Sequence, residues 1–200
     1  RPLVVPTCID LDHYTVSSLA AHEELTDDQP LRLVWVGLPA NVEQLLTVRD
    51  GLEPLIEEGT VSLTVVTHPS ANLDGLKARI VAWSEETERL EMSRAHVGLM
   101  PLPKTAWAAG KCALKLLQYQ AAGLAAVASP VGMNASLATR GGVVLADQPG
   151  EWAEQLNALR SVTRRQELAL RGRRLIEQNY SVQHWAPKLA LMYRNLVNQP

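Results

Sequence analysis

Two hundred residues, 46% hydrophobic and 20% charged, are enough for one domain with a sizeable buried core, and they exclude a disordered chain. A formal net charge of −2 argues against a nucleic-acid-binding protein with a broad basic face. No apolar run approaches the roughly 18–20 residues that a membrane-spanning helix needs, and no signal peptide is visible. The two cysteines, Cys8 and Cys112, have neither disulfide-framework nor metal-ligand spacing, which favours reduced thiols and a cytoplasmic protein.

The chain opens with RPLVVPTCIDLDHY, a segment that contains two prolines and no helical periodicity. It resembles a linker or strand cut from something longer. We therefore expect residues 1–14 to be an interdomain linker, leading away from the domain formed by residues 15–200. On this interpretation another domain precedes the chain.

Strand and helix patterns alternate along the rest of the chain. The predicted strands cover residues 31–36, 61–66, 78–83, 96–100, 123–128 and 143–146. The predicted helices cover residues 42–55, 85–94, 149–159, 163–178 and 182–198, with one more that begins near residue 110. This alternation predicts an α/β domain: a doubly wound, Rossmann-like parallel sheet of about six strands with helices on both faces.

Ligands of such sheets bind beyond the carboxyl ends of the strands, near the point where the strand order reverses. The loop after the first strand contains Gly37, where the backbone could approach a ligand closely or simply turn into the next helix. Asn41 ends this loop and has Gln44 three residues on, a capping-box pattern, so we favour a helix cap over a ligand contact for Asn41.

The segment GKCALKLLQ, from Gly110 to Gln118, conflicts with the rules of helix formation. It predicts a helix with Lys111 and Lys115 in its opening turns, where the positive end of the helix dipole disfavours cations. A bound phosphate or pyrophosphate would resolve the conflict, because the backbone amides and both ammonium groups could hold it together. The alternative is a helix that begins nearer Trp107, which would leave Lys115 as an ordinary solvated lysine.

The ordered set of segments resembles a known family. KLLQYQAAGLAAVASPVGMN, VWVGLPAN, WSEETE, VGLMPLP and YSVQHWAPKLALMY resemble the C-terminal, donor-nucleotide-binding half of GT-B fold glycosyltransferases, specifically glycosyltransferase family 4 (group 1). Together these segments span nearly the whole chain. The resemblance implies a nucleoside-diphosphate sugar as substrate, a retaining transfer, and an acceptor site with the catalytic base in an absent N-terminal domain.

The family carries a signature pair of glutamates, and this chain has Gly110 and Gln118 at those positions. The resemblance assigns the first position to the transferred sugar and the second to the nucleotide ribose. Gln118 can still hydrogen-bond hydroxyls, whereas Gly110 has no side chain to do so. The family's Arg and Lys after the first strand are missing too, so Lys111 and Lys115 are the expected substitutes at the pyrophosphate. No clustered acidic residues suggest a metal site.

Each of the remaining candidate donor-binding residues also has a structural explanation. Trp83 and Ser84 lie where the resemblance places the nucleobase, although a tryptophan at such a boundary often covers core. Glu85 and Glu86, which follow, are explained by the helix dipole alone. Cys112, at the proposed helix start, is more simply an inert thiol. The donor-binding candidates also include the loop residues Gly132, Met133 and Asn134, with Asn134 expected to cap the next helix.

The best hypothesis is therefore the donor-binding half of a glycosyltransferase, inactive on its own, with no cofactor and no nucleic-acid partner. Its first alternative is a non-catalytic GT-B-like binding or scaffold module with a decayed donor site, favoured by the loss of both glutamates. An NAD-type oxidoreductase is disfavoured because no strand is followed by GxGxxG. A helix face containing Arg164, Arg165, Arg171, Arg173 and Arg174 is expected to be solvated, and a weak membrane or partner contact there stays open.

Overall fold

The computed structural model describes residues 4–14, 24–26 and 28–197. The first residues of the predicted linker, 1–3, those of the predicted domain, 15–23, and the end of the predicted last helix, 198, lie outside the described residues.

The described residues form one sheet of six parallel strands in the order β3-β2-β1-β4-β5-β6. The strands are β1 (Leu31–Val36), β2 (Val61–Thr67), β3 (Arg79–Ala82), β4 (Val97–Met100), β5 (Ala125–Ala128) and β6 (Val143–Leu145). The strand order reverses between β1 and β4, which is the switch point of a doubly wound sheet. The predicted fold class and all six strands are confirmed.

Helices connect these strands and cover both faces of the sheet. They are α1 (Val42–Leu46), α2 (Arg49–Glu57), α3 (Glu85–Arg94), α4 (Ala106–Ala109), α5 (Leu114–Ala121), α6 (Met133–Arg140), α7 (Pro149–Ala158), α8 (Val162–Asn179) and α9 (Val182–Val197). Short 3-10 turns cover Leu11–His13 and Pro39–Asn41. The helix predicted over residues 42–55 is divided in two, because Thr47 and Val48 separate α1 from α2.

The sheet has a separate apolar core on each face, as alternation along a strand requires. In β1, Leu31, Leu33 and Trp35 pack in the cluster that contains residues of α1, α2 and α7. Val34 and Val36 pack in the opposite cluster with residues of α5 and α8. All four residues of β5 are fully buried, as an all-apolar strand between two cores requires.

Tyr119 of α5 bridges β1 and β4 at the switch point of the sheet. β1 and β4 pair in register only at Leu33–Val97 and Val34–Gly98. Beyond these pairs the fully buried Tyr119 hydroxyl accepts from Val36 N–H and donates to Leu99 C=O, both at 3.2 Å. A Cβ at Gly98 would overlap the Tyr119 ring, so glycine is needed beneath it.

Changing Tyr119 to phenylalanine is therefore expected to lower the free energy of unfolding by about 1–3 kcal/mol, because two buried backbone groups lose their partner. Urea unfolding followed by circular dichroism measures the change. Tyr193→Phe on α9 is the matched control, since Tyr193 is 66% exposed. Equal stability of Tyr119→Phe and the wild type would show that the hydroxyl is dispensable.

The first described segment lies against the end of the chain. Ile9 pairs in parallel with Ser181, its N–H donating to Tyr180 C=O at 2.7 Å and its C=O accepting from Val182 N–H at 2.9 Å. Ile9 is buried, whereas Val4 is 79% exposed. A linker role for residues 1–14 stays a prediction.

The arginine-rich face predicted on α8 is not uniformly solvated. Arg165 is completely buried and donates to the carbonyls of Leu159 and Arg160, both at 2.7 Å. Arg173 is paired with Glu177 and also donates to Tyr14 C=O at 2.9 Å. The prediction of one solvated face is wrong, because the guanidinium groups of Arg165 and Arg173 donate hydrogen bonds to backbone carbonyls of neighbouring segments.

Candidate functional site

A cleft of about 660 Å³ opens at the carboxyl ends of β1, β2 and β3, beside the switch point. Five of the predicted site residues line it: Gly37, Asn41, Trp83, Lys115 and Gln118. Its other lining residues come from the ends of the same strands, from α3 and from the start of α5: Val36, Leu38, Pro39, His68, Pro69, Ala82, Glu88 and Leu114. The cleft therefore lies where open α/β sheets bind their ligands.

The helix at this cleft begins later than predicted. Trp107 belongs to the four-residue helix α4, and α5 starts only at Leu114. Ala113, between them, has φ +55° and ψ +34°, a left-handed conformation that separates the two helices. Lys115 is consequently in the first turn of α5, whereas Lys111 precedes the helix. The expectation that both lysines belong to the opening turns is wrong for Lys111.

Lys115 is a half-buried cation in the wall of the cleft. Its Nζ lies 5.4 Å from the centroid of the Trp35 ring, and it makes no hydrogen bond or salt bridge within the described residues. Burial, followed by the charge of Lys111, lowers the pKa of Lys115 to about 8, against a smaller opposing effect of Glu88. The alternative of an ordinary solvated lysine is therefore wrong.

Lys111 bonds to other residues of the chain. Its Nζ donates to Gln44 Oε1 at 3.0 Å and lies 4.1 Å from the centroid of the Trp107 ring, so it joins the loop before α5 to α1. Burial lowers its pKa. The neighbouring Gly110 and Cys112 are exposed, and neither lines the cleft.

Glu88 of α3 is the buried, charged cleft residue among those that sequence reasoning missed. Its side chain lies in the wall and is only 7% exposed. Glu88 Oε2 accepts from Trp83 Nε1–H at 2.6 Å, and Oε1 accepts from Gln118 Nε2–H at 2.7 Å. A helix-dipole argument explained the acidic first turn of α3, whereas the packing of α3 against β1 and β2 decides which of its glutamates is buried. The signal available in the sequence was its spacing of five residues from Trp83.

Trp83 is not a core residue, since 55% of it is exposed at the lip of the cleft. Its backbone N–H donates to Thr67 C=O at 3.0 Å, which extends the β2–β3 pairing by one residue. Ser84 is the N-cap of α3, with a complete capping box to Thr87. Its hydroxyl is thus used by the helix, and the indole of Trp83 is the group that faces the cleft.

Gly37 and Asn41 both line the cleft, with structural roles that differ from those expected. A Cβ at Gly37 would overlap the Trp35 ring, so this glycine makes room for a buried tryptophan. Asn41 does stand at the N-cap position of α1, but it makes no side-chain cap bond. Its Oδ1 accepts from Gln44 Nε2 at 2.7 Å instead. The predicted capping box is wrong, because Gln44 bonds the cap side chain rather than its backbone.

The loop after β5 lies beside α4 rather than in the cleft. Gly132 has φ +53° and ψ −127°, and a Cβ there would overlap Ala109 C=O. Met133 packs against the apolar core, and Asn134 is 1% exposed. Asn134 Nδ2 donates to Ser129 C=O at 3.2 Å and to Met100 C=O at 3.4 Å. Asn134 was expected to cap α6, which is wrong: Gly132 is the N-cap, and Asn134 joins the ends of β4 and β5.

Within residues 4–14, 24–26 and 28–197, no group of three or more His, Cys, Asp or Glu side chains could hold a metal ion. No helix of this part of the chain is long and apolar enough to cross a bilayer.

No protein-family model and no curated protein matches this sequence, but solved structures share its fold. A glycosyltransferase from Rickettsia africae matches with a TM-score of 0.73 and 10% identity, over 99% of this chain and 58% of its own. HepE from Anabaena, solved in complex with UDP and glucose, matches with a TM-score of 0.71 and 11% identity, over 98% of this chain and 57% of its own. Sucrose-phosphate synthase from Thermosynechococcus elongatus matches with a TM-score of 0.67 and 16% identity, over 98% of this chain and 52% of its own.

The chain thus spans little more than half the length of these proteins. Their sequence identities are low, so the likeness concerns the fold. The chain has the Rossmann-like α/β fold found in the matched part of GT-B glycosyltransferases.

Proposed function

We propose that this chain is the donor-binding, C-terminal part of a retaining family 4 (group 1) glycosyltransferase, and that its cleft binds a nucleoside-diphosphate sugar. Lys115 carries the proposal. A half-buried ammonium without a hydrogen-bonding or ion-pairing partner among the described residues destabilises the folded chain unless a ligand supplies negative charge. Its place in the first turn of α5 adds backbone N–H groups to the same anion site.

The rest of the cleft suits a nucleotide. The exposed indole of Trp83 offers a face on which a base could stack, and Glu88 fixes its edge. Gln118 follows Lys115 by three residues and lies on the same face of α5, so polar groups for a phosphate and a sugar are adjacent. UDP is bound in the HepE structure, which supports a uracil nucleotide as the first ligand to test.

Isothermal titration calorimetry with UDP and with uridine tests the proposal. We expect UDP to bind and uridine to bind at least about tenfold more weakly, because a charge-assisted contact to phosphate is worth about 1.5–3 kcal/mol. Equal affinity for both would contradict the anion site. Failure of UDP and of the other common nucleoside diphosphates to bind would favour the alternative of a scaffold module.

Transfer itself is expected to need residues upstream of Arg1, because the proposal places the acceptor site and the base in another domain. Sugar transfer by residues 1–200 alone would contradict this division of labour.

A further inference from the structure

On one wall of the cleft, the side-chain donors of Gln118 and Trp83 are used within the protein. Gln118 Nε2 donates to Glu88 Oε1 at 2.7 Å and to the Tyr14 hydroxyl at 2.9 Å, which uses both amide hydrogens. The Trp83 N–H donates to Glu88 Oε2 at 2.6 Å. What this wall retains for a ligand is acceptor capacity only: Gln118 Oε1, which accepts no hydrogen bond from the described residues, and a second lone pair on Glu88 Oε2.

Glu88 and Tyr14 dictate this polarity. The two ends of an amide have nearly the same shape, so packing alone leaves Gln118 free to turn by 180°. Turning it would set its carbonyl oxygen against the buried carboxylate of Glu88, where the low dielectric makes repulsion strong. Tyr14 adds to the preference, since its hydroxyl accepts from the Gln118 amide while donating to Glu88 Oε1 at 3.4 Å. Burial raises the pKa of Tyr14, so this hydroxyl keeps its proton.

The wall is thus opposite in character to the cationic Lys115, one helical turn away on α5. A ligand that spans both must carry an anion next to hydrogen-bond donors. In a nucleoside diphosphate the donors nearest the phosphates are the ribose hydroxyls.

We propose that Glu88 and Tyr14 are positioning residues: they hold the Gln118 carbonyl as an acceptor for the ribose hydroxyls that the resemblance assigns to this position, and so favour a ribose cis-diol over its deoxy analogues. The proposal rests on the proposed nucleotide site.

Calorimetric titration of the whole chain with UDP and with 2′-deoxy-UDP tests it. The wild type should prefer UDP roughly tenfold, the value of one or two lost hydrogen bonds. Glu88→Gln keeps the shape of the side chain but allows Gln118 to turn, and should reduce the preference to about twofold or less. Tyr14→Phe should reduce it in the same direction by a smaller factor. Both should keep most of the phosphate-dependent affinity, measured as the ratio of UDP to uridine binding.

Glu86→Gln is the matched control. It removes the same charge from the same turn of α3, but Glu86 is exposed and lines neither the cleft nor the adjoining pocket of Tyr14 and Gln118. Its preference for UDP should equal that of the wild type. A general loss of structure would weaken UDP and its deoxy analogue alike, whereas loss of positioning changes their ratio.

Several results would overturn the inference. Equal binding of UDP and 2′-deoxy-UDP by the wild type would overturn this inference but leave the proposed nucleotide site standing. An unchanged ratio in Glu88→Gln would do the same, and if that variant does not fold, an unchanged ratio in Tyr14→Phe decides against positioning. Absence of UDP binding in the wild type would overturn the proposed function and this inference together.

Discussion

Changing Lys115 to methionine is expected to weaken UDP binding by about ten- to a hundredfold, because the site loses its half-buried positive charge. The same change should stabilise the ligand-free protein by about 1–3 kcal/mol near pH 7, since an ammonium with a lowered pKa destabilises the folded state when protonated. Methionine matches the length of the apolar stem and can pack beside Trp35. Calorimetry and thermal melting measure the two effects.

The pH dependence of stability gives a second readout. The folded protein releases the Lys115 proton near pH 8, whereas the unfolded chain keeps it to about pH 10.5. Between these values the unfolded state binds more protons, so Lys115 makes stability rise with pH across that window. UDP affinity should fall over the same range as the ammonium is lost. Lys115→Met should lose the affinity slope and the part of the stability slope that Lys115 causes, whereas Lys111, whose pKa is also lowered by burial, keeps a stability slope of the same sign.

Lys104→Met is the control for a lysine whose charge is already neutralised. Lys104 Nζ pairs with Asp147 Oδ2 at 2.5 Å, and its side chain is 63% exposed. Surface pairs of this kind contribute little, so we expect a stability change below about 1 kcal/mol and unchanged UDP affinity. Unaltered UDP affinity in Lys115→Met would place the anion site elsewhere.

The second large effect concerns two glycines that the sequence places in the same candidate site. Gly132→Ala should destabilise the protein by about 2–5 kcal/mol, adding backbone strain at φ +53°, ψ −127° to a clash with Ala109 C=O. Gly110 has φ −80°, and the nearest atom to an added Cβ is 3.5 Å away. Gly110→Ala should therefore be neutral or stabilise by up to about 1 kcal/mol, through the unfolded chain.

Urea unfolding of both variants with UDP absent separates these effects from binding. Similar losses in the two variants would show that the left-handed turn at Gly132 is not the origin of the cost. Because Gly110 tolerates a side chain, Gly110→Glu is also a feasible variant for restoring the carboxylate that the resemblance expects there.

Most of the architecture could be predicted from local patterns. The apolar runs in β1 and β5 and the acidic first turn of α3 each specify an element by short-range physics, and each is found where expected. Strands that alternate with helices then leave a parallel, doubly wound sheet as the arrangement that buries both faces. The loops at the carboxyl ends of the strands follow from that arrangement.

Side-chain partners across the cleft could not be predicted in this way. Whether Lys115 is solvated depends on Trp35, 80 positions earlier, and the orientation of Gln118 depends on Glu88 and Tyr14. The left-handed Ala113 that removes Lys111 from α5 has no signal in its own sequence, since alanine does not favour that conformation. The sequence by itself determined which elements form and at which edge of the sheet a ligand would bind. Burial, charge pairing and donor–acceptor polarity in the cleft were decided by tertiary structure, because each arises between residues that only folding brings together.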